Sequence, residues 1–186
     1  MMFQQFKLSL LALTALFALN ACAQTTQSQP AQAESAAESI AEIYEVHEDG
    51  RIYAFYDRAL YKEFLAVGET PFRLTRIGTG PNGETMVYGL TGKDKKKGVD
   101  TPAVKLYEGQ IKPVDDFYAE MVRHGRIYVF STFEDMASVR QFGHPNFFYT
   151  EIGSGPGGET VVYVLNSKTK KQKPEALIAR FKQKNQ

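Results

Sequence analysis

The phrase IGTGPNGETMVYGL (residues 77–90) returns, little changed, as IGSGPGGETVVYVL (residues 152–165). The two phrases lie 75 residues apart, and the match extends on both sides of them. When residues 50–96 are set against residues 125–171 without gaps, 21 of 47 positions are identical. A match of this length at one offset predicts that the chain contains two copies of one structural unit.

Both copies show the same order of local patterns. In the first, two β-rich runs meet at the turn signal Glu48-Asp49-Gly50, and a helix pattern follows over residues 57–67 with Asp57 as its cap and Val67 on its apolar face. Two strands then flank the repeated phrase, and a terminal helix begins near Pro102. The unit is a ββαββ pattern with a terminal helix. We therefore predict an α+β protein, a tandem duplication whose antiparallel sheets are each covered by helices.

The second copy follows this pattern with its own helix signals. Ser131 and Glu134 have the spacing of a capping box, and Met136 and Val139 lie on one face of the predicted helix. A terminal helix opens at Pro174 and turns Leu177, Ile178 and Phe181 inward.

The N-terminal segment has the pattern of a secretory signal. Lys7 precedes an apolar run over residues 8–19, which is too short to span a bilayer comfortably. The sequence LNAC at residues 19–22 then resembles the lipobox of bacterial lipoproteins, in which the signal is cut before the cysteine. The resemblance implies that Cys22 is lipidated, and Ala23 after it implies sorting to the outer membrane, facing the periplasm. A secretory signal with an unrelated cysteine is the alternative.

These features divide the chain into four parts. The segment after the cysteine is rich in Gln, Ala, Ser and Thr, so it cannot repay the entropy of ordering and is expected to be a flexible tether. The predicted parts are a signal peptide (1–21), a lipidated cysteine with its tether (22–40), a first α+β repeat (41–110) and a second α+β repeat (111–186).

Composition argues against several classes of function. Of 22 basic residues only Lys7 lies before residue 22, so the mature chain would carry 21 basic and 21 acidic side chains. This balance gives no field that would steer the protein to nucleic acid. One cysteine and three histidines are a poor supply of metal ligands, and we predict no metal site and no cofactor.

Local charge can still matter in the lysine-rich stretches that end each copy. They are interpreted as solvated loops, or as contacts with anionic lipid head groups. The lysines are Lys93, Lys95, Lys96, Lys97, Lys168, Lys170, Lys171 and Lys173.

The glycine-rich phrase has two interpretations. It joins strand to strand, and it lacks both the GK[ST] ending of a P-loop and a following helix, which favours a structural turn. Its backbone amides could alternatively form a nest for an anionic ligand.

Side chains repeated in both copies are the candidate contacts for a ligand or partner. Arg51 would begin the second strand and Glu84 the fourth, so the pair could form a cross-strand salt bridge or bind a ligand. The repeated tyrosines are interpreted as half-buried sheet residues or as a face for stacking. The candidate residues are Arg51, Tyr53, Glu84, Tyr88, Arg126, Tyr128, Glu159 and Tyr163.

The segment GRIYAFYDRALYKEF (50–64) resembles the core of YHS-type metal-binding units, a hairpin followed by a helix. Gly50, Tyr53, Phe55 and Phe64 match that pattern. The cysteine positions of the pattern hold no cysteine in either copy, so soft-metal binding does not carry over. Those positions are Tyr56 and Leu60 in the first copy and Ser131 and Asp135 in the second.

Two functions compete on this basis. The first is a non-catalytic envelope lipoprotein, held to the membrane by its lipid, that binds a partner protein or a cell-wall polymer. The alternative is a carrier that holds a small ligand or ion in a groove between the repeats. No Ser/His/Asp order, HExxH sequence or close carboxylate pair points to an enzyme.

Overall fold

A computed structural model describes residues 39–186. The predictions for the signal peptide, Cys22 and nearly all of the tether lie outside these residues. The strands are β1 (Ile40–Glu48), β2 (Arg51–Phe55), β3 (Arg73–Arg76), β4 (Thr85–Gly89), β5 (Pro113–Arg123), β6 (Arg126–Phe130), β7 (Phe147–Glu151) and β8 (Thr160–Leu165). The helices are α1 (Arg58–Val67), α2 (Pro102–Tyr107), α3 (Phe133–Phe142) and α4 (Glu175–Lys184), with a 3₁₀ turn at Gly98–Asp100.

The fold is mixed α/β, with the eight strands in one sheet of order β3-β4-β2-β1-β5-β6-β8-β7. The two halves of the chain meet where β1 pairs with β5 at the centre. They therefore share one continuous sheet, whereas the sequence led us to expect two.

The expected antiparallel pairing was only partly right. The hairpins β1–β2, β3–β4, β5–β6 and β7–β8 are antiparallel, but β1–β5, β2–β4 and β6–β8 are parallel. Successive strands along the chain run in opposite directions, so partners that are an even number of strands apart in the sequence are parallel.

Helices cover both faces of the sheet. Side chains alternate along a strand, so Ile43 and its neighbour Tyr44 belong to two different apolar clusters. On face A, the sheet packs against α2 and α3 through Val104, Leu106, Met136 and Val139. On face B, it packs against α1 and α4 through Leu60, Phe64, Ile178 and Phe181.

Local signals in the sequence located the helix starts well. The Asp57 carboxylate accepts the Leu60 N–H at 2.9 Å, as the cap prediction requires. Helix α3 is capped one residue later than predicted. Thr132, not Ser131, accepts the Asp135 N–H at 3.1 Å, and its hydroxyl donates to the Asp135 carboxylate. The pair Thr132–Asp135 thus replaces the expected capping box.

The predicted inward face of α1 needs one correction. Val67 is 64% exposed, because the helix ends at that residue and Gly68 turns the chain away with φ of +76°. The buried residues of α1 are Leu60, Tyr61 and Phe64. Of the predicted α4 face, Ile178 and Phe181 are buried and Leu177 is half-buried. No helix within residues 39–186 is long and apolar enough to cross a bilayer.

Candidate functional site

The glycine-rich phrases form turns whose anion sites are filled by the chain itself. Glu84 accepts the Asn82 N–H at 2.8 Å, and Glu159 accepts the Gly157 N–H at 2.8 Å. A Cβ on Gly80 would lie 2.6 Å from the Glu84 carboxylate, so a glycine is needed there. Burial acts to raise the pKa of Glu84, but these hydrogen bonds lower it overall.

The expected Arg51–Glu84 and Arg126–Glu159 salt bridges are not formed. The strands are neighbours as predicted, but Arg51 pairs in register with Thr85 and Arg126 with Thr160. The glutamates precede these positions and turn back into their own loops. Their role is to hold the turn.

The arginines and two of the tyrosines line a pair of related clefts. Cleft 1, about 560 Å³, contains Arg51 and Tyr53 and lies beside the end of α1. Cleft 2, about 520 Å³, contains Arg126 and Tyr128 and lies beside the end of α3. Seven lining positions of cleft 1 correspond to positions of cleft 2 at the offset of 75. They are 51/126, 53/128, 69/144, 70/145, 73/148, 75/150 and 87/162.

The two clefts differ in chemistry. Cleft 1 is polar, with Arg73 and Glu69 on its wall. In cleft 2 the corresponding residues are Phe148 and His144, and Ile152 also lines it. Phe148 is 56% exposed and Ile152 is 88% exposed. The lining of cleft 2 holds Arg126 and His144 and includes no carboxylate.

The other two candidate tyrosines lie elsewhere. Tyr88 is buried on face A, with its ring 5.7 Å from that of Tyr107. Tyr163 is buried on face B, where its hydroxyl donates to Glu151 at 3.4 Å. The eight predicted contact residues are therefore not brought into one site, and their tyrosines do not form one stacking face.

A buried ion pair lies at the junction of the halves, and it was not predicted from the sequence. Glu45, on β1, has a side chain that is 0% exposed, and Arg140 of α3 donates to it at 2.9 Å. The Tyr107 hydroxyl donates to the same oxygen, and His47 Nε2 lies 2.6 Å from the other. The Arg140 guanidinium also lies 4.5 Å above the Tyr107 ring.

The charges of this cluster stabilise one another. Burial alone would raise the pKa of Glu45, but the attraction of Arg140, with His47 and Tyr107, holds it below its ordinary value. Burial likewise acts to lower the pKa of Arg140, and Glu45 reverses that effect. The pKa of Tyr107 lies well above its usual range, because the hydroxyl is buried beside a carboxylate. At neutral pH the cluster is a buried ion pair.

A second buried glutamate lies on the opposite face. Glu120 accepts hydrogen bonds from Tyr118 at 2.6 Å, Asn185 at 2.8 Å and Tyr61 at 3.3 Å. Within residues 39–186 it has no ion-pair partner. Burial first, and the nearby carboxylate second, raise the pKa of Tyr118 far above its usual range. These tyrosines are therefore neutral hydrogen-bond donors.

One sequence signal could have pointed to both glutamates. Glu45 and Glu120 are also 75 residues apart, just upstream of the aligned region. Glu45 stands between Tyr44 and Val46, and Glu120 between Ala119 and Met121, so each glutamate interrupts apolar residues of a predicted strand. Their partners Arg140 and Tyr107 have no such signal, because the contacts join distant parts of the chain.

Beside the Glu45 cluster lies a cleft shared by both halves, the junction cleft, of about 430 Å³. Its lining includes Arg76, Tyr88 and Tyr107 from the first half and Arg140 from the second. Arg76 donates to Glu108 at 3.1 Å, while its Nε is buried without a hydrogen-bond partner. This cleft corresponds most nearly to the groove that we expected between the repeats.

The lysine-rich stretches partly cover aromatic rings near the sheet edges. Lys95 lies 4.8 Å above Phe72, and Lys170 lies 4.2 Å above Phe147. Lys173 lies 5.5 Å above Tyr149. Such contacts favour ordered loops over fully solvated ones.

No group of three or more metal-ligating side chains occurs in the part of the chain that the structure describes. At the cysteine positions of the YHS-type pattern, Leu60 is buried in the apolar core of face B, and the Tyr56 hydroxyl donates to Asp94. Comparisons with protein-family models, curated proteins and solved structures find no significant match.

Proposed function

We propose that this chain is a non-catalytic lipoprotein that binds a partner protein of the cell envelope through cleft 2. In this proposal Cys22 carries the lipid, and the tether holds the folded part on the periplasmic side of the outer membrane. The support for the anchor is the signal and lipobox pattern of residues 1–22.

We infer further that residues 41–110 and 111–186 are copies of one duplicated unit. The support is that β2 and β6, and α1 and α3, begin and end at residues 75 apart. Seven lining positions of cleft 1 and cleft 2 are also 75 residues apart. Duplication would leave one copy able to keep the fold while the other acquired a binding surface.

The observation that carries the proposal is the exposed apolar wall of cleft 2. Phe148 and Ile152 offer apolar surface to the solvent at a sheet face that no helix of residues 39–186 covers at this point. Arg126 and His144 provide donors, and no carboxylate lines the cleft. These features fit a partner segment with apolar and acidic side chains.

The first prediction is that photo-crosslinking in cells is specific to cleft 2. A benzoylphenylalanine replaces Phe148 in the full-length lipoprotein, and the corresponding Arg73 of cleft 1 provides the matched control position. We expect one envelope protein to be captured from position 148, at least tenfold more than from position 73. Mass spectrometry of the captured species identifies it and its crosslinked peptide.

A second substitution tests the chemistry of the contact. Ile152→Glu should abolish capture from position 148, because it places a charge on the apolar wall and repels an acidic partner. The matched change Ile77→Glu in the first half should leave capture unchanged. Equal capture from positions 148 and 73, or capture of cell-wall polymer alone, would refute the proposal.

A small-ligand carrier remains the second candidate, because the junction cleft offers a buried, unpartnered Nε on Arg76. In that case benzoate or inorganic phosphate at saturation should raise the melting temperature by at least about 2 °C. Arg76→Gln should remove the shift, and Arg73→Gln on the same strand should keep it. Melting curves without any shift would count against the carrier.

A further inference from the structure

One further cavity is lined by residues of the second half alone. It has a volume of about 720 Å³ and lies between the start of β5, the end of β8 and the first turn of α4. Its lining includes the apolar side chains of Phe117, Val164, Leu165 and Leu177. Volumes of this size are typical of small-molecule sites.

A comparison between the two halves explains why this space is open. Ser131 lines the cavity, and the residue 75 positions earlier is Tyr56. The Tyr56 ring packs against the core of face A, and its hydroxyl donates to Asp94. In the second half, Thr169 stands at the position of Asp94 and also lines the cavity. In the first half, the ring of Tyr56 therefore occupies the space that remains open beside Ser131 in the second half.

The Tyr56–Asp94 contact is firmly held in the first half. Asp94 also accepts hydrogen bonds from Thr91 at 2.7 Å and from Lys97 at 2.6 Å. The Lys97 bond first, and the Tyr56 bond second, lower the pKa of Asp94 to about 2. The second half has replaced both Tyr56 and Asp94 by smaller side chains, which is the change expected if a ligand occupies the space.

Charge at the rim indicates the kind of ligand. Lys168, Lys171 and Lys173 lie on one loop at the mouth of the cavity. Arg180 is already paired with Asp116 at 2.7 Å. The remaining acids of the lining are Asp115 on β5 and Glu175, the first residue of α4, so the three lysines outnumber the acids that are left. Three lysines together suit a carboxylate or phosphate group.

We infer that this lysine-rimmed cavity binds a single-chain amphiphile, with its hydrocarbon chain against Leu165 and Leu177 and its anionic head group at the lysine loop. The site shares no lining residue with cleft 2 or with the junction cleft. It is therefore independent of both functions proposed above.

The test uses the full chain in membranes and a 12-carbon fatty acid that carries a diazirine. After irradiation, peptide mapping by mass spectrometry should find the label mainly on residues 164–177. Dodecanoate and dodecyl phosphate should each reduce labelling at least fivefold, and the more effective of the two identifies the head group. The inference would be overturned if inorganic phosphate reduced labelling while dodecanoate and dodecyl phosphate did not. It would also be overturned if neutral dodecanol reduced labelling as much as dodecanoate does.

Variants copied from the first half give the sharpest control. Ser131→Tyr with Thr169→Asp should reduce labelling at least fivefold, because it rebuilds the arrangement of Tyr56 and Asp94. Lys168→Gln with Lys171→Gln should do the same without touching the interior. The matched pair Lys93→Gln with Lys96→Gln should stay within twofold of the wild type. Unchanged labelling in the variant Lys168→Gln with Lys171→Gln would refute the site. This holds whether or not Ser131→Tyr with Thr169→Asp reduces labelling.

Discussion

Replacing Arg140 with alanine is expected to lower the free energy of unfolding by about 3–5 kcal/mol. The side chain of Arg140 is 12% exposed, and it donates to Glu45, whose side chain is 0% exposed. Without it, the carboxylate keeps hydrogen bonds from Tyr107 and His47 but loses its closest guanidinium. A buried charge left in this state is strongly destabilising. Equilibrium urea denaturation at pH 7 measures the loss.

The effect should depend on pH in a defined direction. In the wild type the pKa of Glu45 is lowered, so its stabilising contribution is present above its ordinary pKa and is lost as the pH falls through the lowered value. In Arg140→Ala, burial dominates and the carboxyl binds a proton more readily. The difference in stability between wild type and variant should therefore be largest at pH 7 and smaller at about pH 4.

Two controls separate this effect from a general loss of packing. Glu45→Gln combined with Arg140→Ala should recover at least half of the lost stability, because no buried charge remains. Arg180→Ala should cost less than about 1 kcal/mol, since its partner Asp116 has a side chain that is 92% exposed. A penalty for Arg140→Ala that is unaffected by pH and by Glu45→Gln would show that the arginine acts only through packing.

Signals confined to a few residues were enough to predict most elements. The turn at Asp49-Gly50, where both φ values are positive, and the Asp57 cap are examples. The pairing of β1 with β5 was not predictable in this way, because it joins segments that are some 75 residues apart in sequence and shows no mark in either. The same pairing converts two expected sheets into one, so the main error in the fold has a single cause.

Prediction of the candidate site was limited in the same way, because it also depends on long-range strand pairing. Repetition selected Arg51 and Arg126 as equivalent residues, and each lines a cleft, but repetition carries no information on the faces where the clefts lie. In the β1–β5 register Tyr44 stands opposite Glu120, so Glu120 points to the face opposite that of Glu45. Equivalent residues such as Tyr53 and Tyr128 consequently lie on opposite faces. Which face a repeated residue occupies depends on the register of one long-range strand pair.

Gly89→Ala is expected to lower the free energy of unfolding by about 1–3 kcal/mol. The second half carries Val164 at the corresponding position, so the backbone of this strand tolerates a side chain there. In the first half a Cβ on Gly89 would overlap the Phe55 ring and lie 3.2 Å from Cδ2 of Leu60. The Phe55 ring is buried and packs on Phe64 at 5.1 Å, so it has little room to move. Urea denaturation again gives the measurement.

The neighbouring Gly92 gives the matched control for this substitution. A Cβ there would meet nothing closer than 3.9 Å, and Gly92→Ala should change stability by less than about 0.5 kcal/mol. If overlap with the ring is the cause, Phe55→Leu should cost less in the Gly89→Ala background than in the wild type, because it relieves the crowding that the alanine introduces. Additive costs would mean instead that the alanine acts on the strand backbone.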